Sequence, residues 1–76
     1  MKKKYKFIHF VNNNQWNQNS SSIAGCWICK NNKSKTALGH VRYDSLWHQY
    51  CYFSTVPAVY SSGCLDDISD FLKQLN

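Results

Sequence analysis

Ala37-Leu38-Gly39-His40-Val41-Arg42-Tyr43 and Trp47-His48-Gln49-Tyr50-Cys51-Tyr52-Phe53 are two runs rich in aromatic and branched side chains, separated by a short turn at Asp44-Ser45. Runs of this length and composition predict strands, and the tight spacing predicts an antiparallel hairpin. Working back towards the N-terminus, Asn31-Asn32-Lys33-Ser34-Lys35 has turn chemistry and joins the hairpin to a further predicted strand over 23–30. Tyr5-Lys6-Phe7-Ile8-His9-Phe10-Val11 predicts the first strand, and the Asn/Gln/Ser-rich stretch 12–22 predicts a long polar loop. Towards the C-terminus, Pro57 lacks the N–H that a central strand needs, and 58–60 is left as a short edge strand. Ser61-Ser62-Gly63 then offers a cap to a helix over 64–76. Asp66 and Asp67 are expected in its first turn and Lys73 in its last, where each complements the helix dipole.

Leu65, Ile68, Phe71, Leu72 and Leu75 recur at helical spacing, and an apolar stripe of that kind must be covered by one face of the sheet. The expected fold is therefore α+β, a four- or five-stranded antiparallel sheet with one C-terminal helix packed on one face. Trp27, Leu38, Val41 and Phe53 join the helical stripe in the expected core. In the fourth strand Trp47, Gln49, Cys51 and Phe53 share one face while His48, Tyr50 and Tyr52 share the other, so neither face is plainly polar. The face without the helix is open to solvent or to a partner.

Composition sets the outer limits. With 76 residues and 8.9 kDa the chain makes one domain, and its 43% hydrophobic and 17% charged residues exclude a disordered basic tail. The 16% aromatic content supplies the dense core that so short a chain requires. The net charge of +5 is unevenly spread. Residues 1–63 carry Lys2, Lys3, Lys4, Lys6, Lys30, Lys33, Lys35 and Arg42 against the single acid Asp44, whereas 64–76 carry Asp66, Asp67 and Asp70 against Lys73. Met1-Lys2-Lys3-Lys4 imitates the start of a signal peptide, but Lys6 and His9 interrupt the apolar stretch behind it. A cytoplasmic protein without a membrane segment is expected, with Cys26, Cys29, Cys51 and Cys64 reduced and largely buried.

The succession Trp27 with Asn31, Leu38-Gly39 with Val41 and Tyr43, the run 47–53, and Cys64-Leu65-Asp66-Asp67-Ile68 with Phe71 resembles a group of small uncharacterised bacterial proteins, some carried on mobile elements. Their shared pattern runs Leu-Gly-x-Ile-x-Trp, Trp-Arg-Gln-Tyr-x-Phe and Cys-Leu-x-Asp-Ile-x-x-Phe. The resemblance covers about fifty residues, and it departs at Tyr43, where the pattern has tryptophan, and at His48, where it has arginine. It implies one compact domain and supplies no chemistry. A mobile-element setting implies a regulator or inhibitor, of which an anti-CRISPR factor is one form.

Four kinds of chemistry compete for this sequence. Cys26-x2-Cys29 with His48-x2-Cys51 has the ligand types of a tetrahedral zinc site, although residues three apart on a strand point to opposite faces. Cys51 or Cys64 with His9, His40 or His48, and Asp44 as orienting acid, has the residue types of a thiol nucleophile, but no spacing fixes their geometry. The cations Lys2, Lys3, Lys4, Lys6, Lys30, Lys33, Lys35 and Arg42, with Trp16, Tyr43 and Tyr50 as contact aromatics, suit a nucleic-acid-binding module. The same residues suit a non-enzymatic inhibitor or adaptor that docks on a nucleic-acid-handling protein or ribonucleoprotein. That last function is the expectation, with no cofactor.

Overall fold

The computed structural model describes residues 1–12 and 26–76. Four strands, β1 (Ile8–Asn12), β2 (Trp27–Asn31), β3 (Ala37–Asp44) and β4 (Gln49–Ser54), form an antiparallel sheet in the order β1-β2-β3-β4. The helix α1 (Ser62–Leu75) follows and covers one face. This is the α+β arrangement that the pattern of the sequence predicts, with four strands. Residues 58–60 form no strand. Instead Tyr60 places its hydroxyl 2.8 Å from that of Tyr52, within the segment between β4 and α1.

Register divides the sheet into two faces, because directly opposed residues of an antiparallel pair share a side. Phe10↔Cys29↔Gly39 and Trp27↔Val41↔Tyr52 lie towards α1. The core consists of Tyr5, Ile8, Phe10, Cys29, Val41, Ile68 and Phe71, with Trp27, Leu38, Tyr50, Tyr52, Tyr60, Leu72 and Leu75 packed around it. Its centre is aromatic. Phe71 stacks on Phe10 with ring centroids 3.9 Å apart and meets Trp27 edge-on at 5.3 Å. A bulge between Cys29 and Lys30 shifts the β2–β3 register, so that Lys30 faces Ala37 and Leu38 is the extra residue.

Three local expectations change. The helix starts at Ser62, capped by the Ser61 hydroxyl, which accepts from the Cys64 N–H at 3.2 Å; Asp66 and Asp67 therefore lie beyond the first turn. Leu65 is 54% exposed, since it lies about 120° of helical rotation from Phe71, and so belongs to the flank of the stripe. Phe53 is half-buried on the open face and is not part of the core around Phe71.

The first strand also begins later than its composition suggests. Residues 5–8 turn back on themselves, with the Tyr5 N–H donating to the Ile8 carbonyl at 2.8 Å. Lys4 then bridges to His9, and the Phe10 N–H donates to the Lys3 carbonyl, so the lysine run lies along the outer edge of β1. Tyr5 is drawn inward, and its hydroxyl donates to Asp70 on α1 at 2.7 Å. Asn32 holds this turn against the β2–β3 turn. Its Nδ2 donates to the carbonyls of Tyr5 and Lys6 at 2.8 and 3.1 Å, and its Oδ1 accepts from His9 Nδ1 at 2.7 Å.

Candidate binding surfaces

The β3–β4 turn projects two adjacent, highly exposed large apolar side chains. Asp44 ends β3 and its Oδ2 accepts from the Trp47 N–H, three residues on, at 3.0 Å, a side-chain cap that braces the four-residue turn 45–48. His48 closes the turn with φ 55°. Leu46 is thereby left 88% exposed, Trp47 70% and the adjoining Tyr43 51%. The pattern of residues 47–53 predicts a strand that includes Trp47; the four-residue turn removes it from the sheet and places it at the tip. Tyr43 meets Tyr50 edge-on at 5.7 Å, and Tyr50 is half-buried against the core. Of the two tyrosines expected as contact residues, Tyr43 is thus the outward one. Trp16 lies outside the described residues.

Trp47 also borders an open cleft of about 340 Å³ between β4 and α1, lined further by Gln49, Tyr50, Cys51, Tyr52, Ser69, Leu72, Lys73 and Asn76. The cleft runs along the free edge of the sheet. Asn76 crosses it, with Oδ1 accepting from the Tyr50 N–H at 2.7 Å and Nδ2 donating to the Tyr50 carbonyl at 3.3 Å.

A second surface is the face of the sheet opposite α1, the open face, which no other element among the described residues covers. Val11↔Ile28↔His40↔Phe53 forms one row across all four strands. Beside it Arg42 sits opposite Cys51, and Lys30 sits opposite His9. The Arg42 guanidinium carbon lies 4.1 Å from the centroid of the Phe53 ring, against which the His40 imidazole also stacks at 5.2 Å. Arg42 Nε donates to His40 Nε2 at 3.2 Å, which requires that nitrogen to be unprotonated. Burial, and then the charge of Arg42, push the His40 pKa below its usual 6.5, so the imidazole is neutral at pH 7.

The cations singled out in the sequence do not gather in one patch. Lys6, Lys33 and Lys35 share the end of the sheet where Asn32 joins two turns. Lys2 and Lys3 instead reach aromatic rings of the interior side, with Nζ 4.7 Å from Tyr5 and 5.8 Å from Trp27 respectively. Lys4 lies on the β1 edge, while Lys30 and Arg42 occupy the open face. The acids are elsewhere: Asp66, Asp67 and Asp70 are all on α1, behind the sheet, and Asp44 is used in its turn.

The zinc combination is not assembled. Cys29 is fully buried beneath α1, Cys26 and Cys51 fall on the other side of the sheet, and His48 is in the β3–β4 turn. Among the described residues no three His, Cys, Asp or Glu side chains cluster as metal ligands. All four cysteines are free. Nor, among the described residues, does a thiol hydrogen-bond to an imidazole: His9 bonds to Asn32, His40 to Arg42, and the Cys51 thiol donates to the Gln49 carbonyl at 3.6 Å. Burial pushes the Cys29 thiol up to about 11, a direction opposite to activation. Among the described residues no helix is long and apolar enough to cross a membrane.

Sequence reasoning missed the Leu46-Trp47 tip and the Phe53–Arg42–His40 group. The signal for the first was Asp44, whose side chain favours a wider turn than the two residues assigned to it. The second followed from Phe53 and His40 lying opposite each other, which only the register reveals. No family model, no curated protein and no solved structure matches the chain.

Proposed function

We propose that this protein is a non-enzymatic inhibitor or adaptor that acts in the cytoplasm by docking on a nucleic-acid-handling protein or ribonucleoprotein. The β3–β4 tip carries this reading. Leu46, Trp47 and Tyr43 place apolar and aromatic area in water on a hairpin braced by the Asp44 side chain, and buried tryptophan and tyrosine contribute strongly to protein interfaces. The adjoining cleft supplies a continuous surface, with Trp47 common to both. The cationic open face supports a partner that is itself anionic or carries nucleic acid.

A photo-crosslinking amino acid at position 47, compared with one at position 66 on α1, tests the assignment in extract of the source cells. The expected result is one discrete protein adduct from position 47, absent when Leu46 is also changed to Ser. Adducts of equal yield from both positions, or none from position 47, would exclude the tip as the docking site.

A further inference from the structure

We infer that the open face of the sheet binds single-stranded nucleic acid, with Lys30 and Arg42 holding phosphates and the row Val11, Ile28 and Phe53 lying beneath bases and sugars. This deepens the preceding reading, since it rests on a partner that contains nucleic acid and assigns that component its own surface.

The first support is the separation of charge. Every carboxylate side chain except Asp44 is on α1, and Asp44, which shares the face of Arg42 two residues further along β3, accepts from the Trp47 N–H at the hairpin end, so no carboxylate lies within the row itself. Lys30 and Arg42 flank it from adjacent strands. Trp27 opposes Val41, so the β2 position level with Arg42 is Cys26, four residues from Lys30. At roughly 3.3 Å per residue the backbone positions of the two cations stand about 13 Å apart along the strand direction, and the Arg42 side chain leans back from its own level over Phe53. Ile28, Phe53 and the ring of His40 occupy the interval. A strand of nucleic acid, which alternates fixed anions with planar apolar bases, presents the complementary pattern.

The second support is the posture of Arg42. Its Nε is engaged with His40 and its plane is held over Phe53, which leaves the two terminal nitrogens for a phosphate while the side chain is already ordered. An exposed arginine without these contacts would lose more rotamer freedom on binding. The ring of Phe53 is correspondingly occupied, so the bases lie against Ile28, Val11 and the edge of Phe53 and do not stack deeply. Weak base discrimination and a large electrostatic component follow. A duplex keeps its bases inside and offers only phosphates, leaving the apolar row uncovered.

The test is a fluorescence-anisotropy titration of the whole chain with short labelled oligouridylate and oligothymidylate, the corresponding duplex, and an oligoglutamate of similar length, at low and moderate salt. Binding to both single strands that weakens with salt, with little preference between them, is the expected result. Arg42→Ala and Lys30→Ala each neutralise one phosphate fewer, so each should make the slope of log affinity against log salt shallower by about 0.7. Lys73→Ala on α1 should leave that slope unchanged. Lys30→Glu, which keeps the Arg42–Phe53 packing, maintains the test if Arg42→Ala proves poorly folded. Absence of binding at low salt, preference for the duplex, equal affinity for oligoglutamate, or an equal effect of Lys73→Ala would each overturn the inference. Trp47→Ala should retain oligonucleotide binding while releasing its protein partner, so failure at the tip and failure at the sheet face are read separately.

Discussion

Asn76 supplies Tyr50 with the two hydrogen bonds that a neighbouring strand would provide: its side-chain amide accepts from the Tyr50 N–H at 2.7 Å and donates to the Tyr50 carbonyl at 3.3 Å. β4 is an edge strand, and an unpaired edge is a template for unwanted pairing. The opposite edge, at β1, is covered by the lysine run of the same chain. The two edges are thus protected by different means, a backbone segment on one side and a single amide on the other.

Replacing Asn76 with Ala removes both bonds and should cost about 1–2 kcal/mol, at roughly 1 kcal/mol net for each. Hydrogen exchange at the Tyr50 amide is the direct readout. It should accelerate in the variant, whereas unchanged protection would mean that the amide does not hold this edge.

Phe71 is fully buried, stacked on Phe10 and met edge-on by Trp27, so one side chain of α1 joins β1 to β2. Truncation to Ala should cost about 3–5 kcal/mol, much of the total stability of about 4–11 kcal/mol expected for a chain of this length. Denaturant unfolding followed by tryptophan fluorescence checks this. A Phe71→Ala protein of normal stability would refute the packing of α1 on the sheet.

Gly39 is required by close approach. A Cβ at this position would lie 2.5 Å from the Phe53 carbonyl oxygen and 2.5 Å from the Tyr52 hydroxyl. The tyrosine can rotate only by leaving Tyr60, and the carbonyl belongs to the strand itself. Gly39→Ala should therefore destabilise by about 1–3 kcal/mol, visible as a lowered thermal midpoint. Gly63→Ala, where the nearest atom outside the helix backbone is Ser61 Oγ at 3.8 Å, is the control and should be neutral or stabilising.

Alkaline pH should unfold the protein through thiols and phenols whose protons burial retains, Cys26, Cys29, Tyr5 and Tyr52, of which Cys29 and Tyr5 serve as probes. Burial pushes the Cys29 thiol up to about 11, while burial and then the Asp70 carboxylate push the Tyr5 hydroxyl up to about 12. In the unfolded chain these groups release their protons near their ordinary values of 9.0 and 10.0. The unfolded state is then favoured as pH rises, so the stability each group contributes is complete below its ordinary value and gone on reaching its raised one. Thermal midpoints should hold below pH 9 and fall between about 9 and 12. Cys29→Ala should flatten the lower part of that fall and Tyr5→Phe the upper part. A profile identical in all three proteins would show that neither proton is held by the fold.

The sheet and its helix are legible in the sequence because they are encoded locally. Runs of aromatic and branched side chains mark β3 and β4, the Asn-rich turn marks their junction with β2, and Ser61 with the 68–75 stripe marks α1. What escapes such a reading depends on partners distant in sequence. Tyr5 gives no sign that its hydroxyl will meet Asp70, nor Asn32 that it will bind the carbonyls of Tyr5 and Lys6, so residues 5–11 suggest a longer first strand than forms. The lysines are equally easy to count and hard to place. Lys2 and Lys3 follow the N-terminal turn towards interior aromatics, and only Lys30 and Arg42 reach the middle of the open face. Tyr43 and Tyr50 differ for a similar reason, since one residue of the pair must lie nearer to α1 than the other.

The strand order β1-β2-β3-β4 bears on how the chain reaches its fold. Each strand pairs with its neighbour in sequence, so apart from the longer β1–β2 connection sheet formation closes short loops and sacrifices comparatively little chain entropy at each step. The bonds of greatest sequence separation join the two ends: the Gln74 side chain bonds the N–H and carbonyl of Lys2, and Asp70 receives the Tyr5 hydroxyl. Substitutions at Tyr5 or Gln74 should then accelerate unfolding and leave the refolding rate nearly unchanged, because the hairpins set the barrier and the ends lock after it.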